Sequence, residues 1–242
     1  MGDSPWDLDE KLLNFFTGKE MRGGFYVEAG AVNGVMQSNT LLLEEKLGWT
    51  GLLIEPEPHL YEQCVVHRPG NMVYNAALVD NDYGMPAVMG SFIPASSPGL
   101  DPGGTSGPGE EVWVVSNGRE HTKWQYELAL QGMISYKNSS FNIKAGAELR
   151  QVPAATLAYI LKTLKIKKPI DLLSLDVEGL ELPALGGLDL NINRPRHIII
   201  ETTSCEEKRE KIYNYLVKFN YRFIEQMTPN DAFYIATGGK QK

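Results

Sequence analysis

Hydrophobic positions alternate between strand-like and helix-like spacing from residue 25 onward. The elements that this pattern predicts are, in order, a strand over Phe25–Ala29, a helix from Leu41 to Leu47, a strand over 49–54, a helix through Leu60 and Val65, and a strand over 72–79. Strand, helix, strand, helix and strand within about 55 residues is typical of a parallel, doubly wound sheet.

The same alternation returns after residue 150. It predicts a helix over 154–164, a strand over 170–176, a helix over 182–188, a strand over 197–201, a helix over 206–219, and two strands over 221–225 and 232–236. The run 170–176 is almost continuously apolar, as central strands of parallel sheets are. We therefore expect an α/β, Rossmann-like, mostly parallel sheet of seven strands with a C-terminal antiparallel hairpin.

The segment between these halves has a different composition. Sixteen of the 26 residues from 84 to 109 are Gly, Pro or Ser, which predicts a mobile loop without regular elements. Beyond it, 112–115 is predicted as a strand and 124–133 as a helix. We interpret 84–150 as an insertion that shapes the substrate site within one domain spanning 1–242.

Composition narrows the class of protein. With 43% hydrophobic and 22% charged residues among 242, the chain is globular, and its net charge of −7 argues against a nucleic-acid partner. No apolar run approaches the ~18 residues that a membrane span needs, so we expect no membrane segment. The oligomeric state is left open. The cellular compartment is also left open. It is the cytoplasm or, if a membrane anchor was removed from the chain, the Golgi lumen.

Acidic residues stand at the ends of several predicted strands. They are Glu28, Glu55, Asp176 with Glu178 just beyond it, and Glu201. Because the carboxyl ends of parallel strands meet at one edge of a sheet, where ligands bind in such folds, these acids predict a negatively lined crevice.

The glycine turn after the first strand helps to identify the ligand. Gly30 and Gly34 follow Glu28, but the full dinucleotide fingerprint is missing. A pyrophosphate beside Glu28 would cost about 1 kcal/mol at 4 Å even in water, whereas a ligand with ammonium and sulfonium charges would be attracted. This favours S-adenosylmethionine over a nicotinamide cofactor, and Glu55 is placed to accept hydrogen bonds from ribose hydroxyls.

Three segments, FYVEAGAVNG, SNTLLLEEKLGWTGLLIEPEP and DLLSLDVEGLE, resemble the FkbM family of S-adenosylmethionine-dependent methyltransferases. They are most similar to its animal branch, which includes the protein Star and mollusc hexose methyltransferases. The resemblance implies a class I methyltransferase fold. It also implies that the cofactor site comprises Glu28, Gly30 and Gly34 at the methionine, Ser38 and Asn39 nearby, Glu55 and Pro56 at the ribose, Asn75, Ala76 and Ala77 at the adenine, and Asp176.

The resemblance also implies methyl transfer to a hydroxyl of a small molecule or glycan, most commonly a sugar. We expect Asp176 to contact the substrate or a metal, and Glu178 to orient it or to accept the proton; alternatively, Glu178 caps the helix starting near Leu180. A divalent cation such as Mg²⁺ on Asp176 and Glu201, or the imidazole of His121, could instead assist.

A non-enzymatic binding or trafficking domain of the Star type is the alternative function. The combination of Glu28, Gly30, Gly34 and Glu55 favours a working cofactor site, since a domain that no longer binds the cofactor has no physical need for these residues together. Glu28 and the missing middle glycine disfavour a third hypothesis, a nicotinamide oxidoreductase.

Overall fold

The computed structural model describes residues 5–81, 87–92, 112–116, 149–202 and 206–238. After a 3₁₀ turn over Pro5–Asp7, the helices are α1 (Leu8–Gly18), α2 (Leu41–Leu47), α3 (Pro58–His67), α4 (Leu157–Thr163), α5 (Glu181–Gly186) and α6 (Glu206–Lys218). The strands are β1 (Phe25–Ala29), β2 (Thr50–Ile54), β3 (Met72–Tyr74), β4 (Ala77–Leu78), β5 (Ala87–Phe92), β6 (Val112–Ser116), β7 (Leu149–Val152), β8 (Ala154–Ala155), β9 (Leu172–Leu175), β10 (His197–Glu201), β11 (Tyr221–Gln226) and β12 (Asp231–Ala236).

The central sheet has seven strands in the order β11-β12-β10-β9-β1-β2-β3. All neighbouring pairs are parallel except the two that involve β12, which runs antiparallel to both β10 and β11. The predicted mostly parallel sheet with its C-terminal hairpin is therefore confirmed. Because the chain proceeds from β1 to β2 and β3 on one side and later to β9 on the other, the strand order reverses at β1 and β9.

Helices cover both faces of this sheet because each central strand is apolar on both sides. In β1, Val27 packs into the cluster that contains α4, α5 and α6, while its neighbour Tyr26 packs into the cluster with α1 and α2. The adjacent residues Leu173 and Leu172 of β9 divide between the two clusters in the same way. The parallel strands are thereby packed on both faces, with their carboxyl ends at one edge of the sheet. Among the described residues, no helix is long and apolar enough to cross a membrane.

The predicted strand over 72–79 is wrong as a single element. The Asn75 side chain donates hydrogen bonds to the carbonyls of Glu55 and Pro56, at 2.8 and 3.0 Å, and ends the pairing of β3 with β2. The chain then turns away, and β4 pairs in parallel with β8, a strand that replaces the start of the predicted helix over 154–164.

Part of the segment predicted as a loop is also a strand. Ala87–Phe92 pairs antiparallel with Val112–Ser116 and Leu149–Val152, in a separate sheet of order β6-β5-β7. Twelve of the sixteen Gly, Pro and Ser residues lie beyond Phe92, which leaves 87–92 free to extend. The strand predicted over 112–115 is confirmed. The helix predicted over 124–133, like His121, lies outside the described residues, and the interpretation of 84–150 as an insertion stays a prediction.

Candidate active site at the ends of the central strands

The register of the sheet brings four strand ends into one row. Ala29 of β1 pairs with the last residues of β2 and β9, so Gly30, Glu55 and Asp176 follow at the same level. The last residue of β10 is Glu201, one position beyond its pairing with the end of β9. The row lies where the strand order reverses, which is where open α/β sheets bind their ligands.

Gly30 allows β1 and β9 to approach closely at this row. Its φ is +81°, and a Cβ there would lie 1.8 Å from the carbonyl oxygen of Asp176. The Gly30 and Ala31 amides both donate to the Ile54 carbonyl, at 3.0 and 3.2 Å. The turn is therefore fixed to β2 while its bare backbone lies against Asp176.

The turn continues through a strained residue. Val32 has a φ of 50°, a conformation that β-branched residues rarely adopt, and its amide donates a 2.9 Å hydrogen bond to Oε2 of Glu55. Backbone strain of this kind persists only where the surroundings enforce it, and it is concentrated at functional sites.

Glu55 retains capacity to accept further hydrogen bonds. Its Oε1 accepts from the Glu57 amide at 2.9 Å and its Oε2 from Val32, so each oxygen has one donor within the described chain and a second lone pair. Burial raises its pKa to about 8, with the charges of Glu57 and Glu178 adding to the effect and the two amides opposing it. A buried acceptor beside the turn fits the predicted contact with ribose hydroxyls.

Glu28 has no such capacity, which changes its predicted role. The side chain is 3% exposed, and its two oxygens accept from the Ser38 hydroxyl, the Asn39 amide at 2.7 Å and the Thr40 hydroxyl at 2.6 Å. The guanidinium of Arg68 lies 4.0 Å away. Glu28 therefore holds the 38–40 segment under the turn, and the donors on both of its oxygens argue against the predicted direct contact with a methionine group.

The other loop residues of the predicted cofactor site form hydrogen bonds that connect the loop to the neighbouring elements. Ser38 and Asn39 are buried; the Ser38 hydroxyl accepts from the Leu41 amide at the start of α2, and the Asn39 amide group donates to Ser174 in β9 at 3.1 Å. The carbonyl of Gly34 accepts from Arg68 at 2.7 Å. These residues connect β1, β9 and α2 rather than lining the crevice with free polar groups.

Of the residues predicted to contact the adenine, the two alanines are buried and Asn75 is partly exposed. Ala76 and Ala77 are 1% and 2% exposed, so their methyl groups lie in the interior. Asn75 holds the backbone of Glu55 and Pro56 through its side chain. A ligand at this end of the row would meet Pro56 and Asn75, both partly exposed, rather than the alanine side chains.

An acid cluster occupies the other end of the row. Carboxylate oxygens of Asp176, Glu181 and Glu201 lie within 4.8 Å of one another. The ammonium group of Lys208, on α6, lies 2.8 Å from Glu181 and 3.6 Å from Glu201. Glu181 and Lys208 were not predicted from the sequence. Glu181 ends the run DVEGLE and could have been found by its spacing, whereas Lys208 has no local signal.

The cluster is short of positive charge. Burial and the neighbouring Glu201 raise the pKa of Asp176 well above its usual value. Burial likewise raises the pKa of Glu201 to about 8, against the opposing effect of Lys208. A carboxyl group whose pKa is raised is a stronger base when ionised, and three carboxylate oxygens so close together are also the ligands that Mg²⁺ prefers.

The helix-capping interpretation of Glu178 is wrong, and its expected role as an orienting group or proton acceptor stays a prediction. β9 ends at Leu175, and Glu178 has a φ of 53°, so it does not share a strand face with Asp176. It does not cap α5 either: the amides of Val177 and Gly179 donate to Glu181, at 3.2 and 3.1 Å. Glu178 is exposed at the rim of the cluster.

Comparison with known proteins gives one match. The family model described as Methyltransferase FkbM domain matches residues 28–223, from the end of β1 to β11. The matched region contains the turn, Glu55 and the acid cluster, and the match selects no branch within the family. No curated protein and no solved structure matches the chain.

Proposed function

Because the chain belongs to the FkbM methyltransferase family, we propose that it is an S-adenosylmethionine-dependent O-methyltransferase acting on a hydroxyl of a sugar or glycan. The observation that carries the proposal is the row at the strand ends, where a buried acceptor, Glu55, and the acid cluster flank the Gly30 turn. One end suits a nucleoside and the other a hydroxyl substrate.

The residues present fit the cofactor. Two ribose hydroxyls can donate to the two remaining lone pairs of the ionised Glu55 carboxylate, and each charge-assisted bond contributes roughly 1.5–3 kcal/mol. Bare backbone at Gly30 allows close approach. When bound, S-adenosylmethionine supplies an electrophilic methyl group, and its positive charge would be stabilised by Asp176 and Glu201, at the ends of β9 and β10, where these acids are ionised.

Asp176 is the best placed proton acceptor. Its backbone touches Gly30, so of the clustered acids it is the one adjacent to the turn. A raised pKa makes its carboxylate a stronger base towards an alcohol than an ordinary aspartate. Glu201 lies beside it, while Lys208 and the buried Glu181 hold the cluster together.

A divalent cation on the three carboxylates is the competing version of this mechanism. It would polarise the acceptor hydroxyl, so that a weaker base could take the proton. Lys208 already supplies positive charge 2.8 Å from Glu181, which favours the version without a metal. Activity that persists in EDTA supports Lys208 as the resident cation, and activity restored only by Mg²⁺ supports the metal.

The carboxylates in and around the acid cluster support a sugar as the acceptor. Asp176, Glu178 and Glu201 offer carboxylate acceptors at one place, and neighbouring hydroxyls of a sugar are matched donors. The experiment is methyl transfer from labelled S-adenosylmethionine to a panel of hexoses and short glycans, read by mass spectrometry. Transfer to a sugar oxygen supports the proposal, and transfer only to non-sugar hydroxyls removes its carbohydrate part.

The non-enzymatic alternative predicts a different pattern. Protein that binds the cofactor but methylates no acceptor in the panel would favour a binding or trafficking role. In that case Asp176→Asn would leave every measured property except local stability unchanged.

A further inference from the structure

Arg68 is the most buried cation among the described residues, with 1% of its surface exposed. It stands at the end of α3, a helix whose start is fixed by Pro58 in its first turn and by the Glu57 carboxylate, which accepts the Leu60 amide at 2.8 Å. The end of α3 therefore positions the guanidinium against the loop that follows β1.

All five N–H groups of this guanidinium are used. Its acceptors are Oε2 of Glu44 at 2.6 Å, the Gly34 carbonyl at 2.7 Å, the Ser38 hydroxyl at 3.1 Å, the Tyr26 hydroxyl at 2.6 Å and the Thr40 hydroxyl at 3.3 Å. A planar fork with five donors is unique to arginine, so the site is built for this side chain.

Three of the five acceptors belong to the loop under the glycine turn. Ser38 and Thr40 accept from Arg68 and donate their own protons to Glu28, which fixes the direction of both hydroxyls. The remaining acceptors, Tyr26 and Glu44, lie on β1 and α2. Arg68 thus ties the loop to the strand before it and the helix after it.

We propose that Arg68 is a positioning residue that sets the shape of the 30–40 loop and, through it, the affinity for S-adenosylmethionine. The second half of this inference rests on the proposed function. Arg68 is enclosed beneath the loop, with no surface left to meet a ligand directly. Glu28 at 4.0 Å and Glu44 at 2.6 Å balance its buried charge.

Arg68→Lys tests the geometry while keeping the charge. A lysine ammonium has three donors, so at least two of the five acceptors lose their partner. We expect amide hydrogen exchange in 31–40 to accelerate at least tenfold, and the Kd for S-adenosylhomocysteine to rise at least tenfold. Thr40→Val, which removes one loop acceptor, should give a smaller change of the same kind if Arg68→Lys fails to fold.

A matched control separates positioning from lost stability. Leu216→Ala, or Leu216→Val if its Tm is closer to that of Arg68→Lys, weakens the core under α6 on the opposite face of the sheet. It should lower Tm without changing exchange in 31–40 or the Kd. Equal exchange in both variants, or an unchanged Kd in Arg68→Lys, overturns the inference. A wild-type chain that binds no cofactor overturns the proposed function, and the exchange data still decide whether Arg68 orders the loop.

Discussion

At the scale of single residues, two buried glutamates on neighbouring strands differ because their oxygens have different partners. Glu28 accepts from two hydroxyls and an amide and faces Arg68, so its carboxylate is saturated. Glu55 accepts one amide on each oxygen and retains two lone pairs. The first therefore contributes to stability and the second to binding.

Replacing Glu28 by glutamine should mainly destabilise the fold. The amide nitrogen would face donors, and Arg68 would lose a neighbouring counter-charge, so we expect the free energy of unfolding to fall by about 3–5 kcal/mol. Urea denaturation measures this, with the exposed Glu62→Gln as the control that should stay within about 0.5 kcal/mol. A Glu28→Gln protein as stable as the control would contradict a structural role.

Glu55 should make cofactor binding depend on pH. Its pKa of about 8, raised by burial and by the charges of Glu57 and Glu178, leaves it largely protonated at pH 7. If ribose hydroxyls bind the ionised form, binding releases close to one proton, and affinity rises up to about tenfold per pH unit until pH 8 and then levels off. Calorimetry in buffers of different ionisation enthalpy counts the proton, which Glu55→Gln should abolish. Affinity that falls as pH rises would show that the protonated form binds.

At the scale of elements, the approach of β1 to β9 depends on Gly30. Gly30→Ala adds both a clash with the Asp176 carbonyl at 1.8 Å and the strain of a positive φ. Gly48→Ala is a matched control, because Gly48 has a φ of +67° but open space around its Cβ position. We expect about 1–2 kcal/mol of destabilisation in the control and at least about 3 kcal/mol at Gly30, measured by thermal unfolding. Equal losses would mean that the two strands can move apart.

Hydrophobic spacing predicted the order of the strands in the central sheet and of the helices between them, but it missed α1, β5, β7 and β8 and did not fix the exact ends of the elements. The strand over 72–79 is interrupted because Asn75 binds carbonyls some 20 positions earlier, and no local pattern encodes that contact. Arg68, just before a Pro-Gly pair, has the sequence appearance of a solvated helix end. Its burial arises only when α3, α2 and the loop pack together. Lys208 had no sequence signal for a similar reason, since its contacts with Glu181 and Glu201 form only in the folded chain.

At the scale of the whole molecule, the strand-end row brings together groups from distant parts of the chain. Glu55 comes from a strand end more than a hundred residues before those of Asp176 and Glu201, yet the register aligns all three. Their identity could be predicted because acids at the ends of parallel strands must meet. Which of them remain open to a ligand depends on hydrogen bonds that the sequence does not reveal.

If the acid cluster performs the chemistry, mutations in it should lower turnover without weakening cofactor binding. Asp176→Asn keeps the shape of the side chain but cannot accept the proton, so we expect kcat to fall at least ~100-fold with the Kd for S-adenosylhomocysteine within threefold of wild type. Glu178→Gln, at the exposed rim, should reduce kcat less than tenfold. The reverse ranking of the two variants would move the base to Glu178.

The most direct test of the central claim, that the strand-end row is a cofactor site, is calorimetric titration of the full chain with S-adenosylhomocysteine, with NAD as the comparison. The account predicts micromolar binding of S-adenosylhomocysteine, none of NAD, and at least tenfold weaker binding in a folded Glu55→Ala protein. No binding by the wild-type chain, or equal binding by the Glu55→Ala variant, would contradict it.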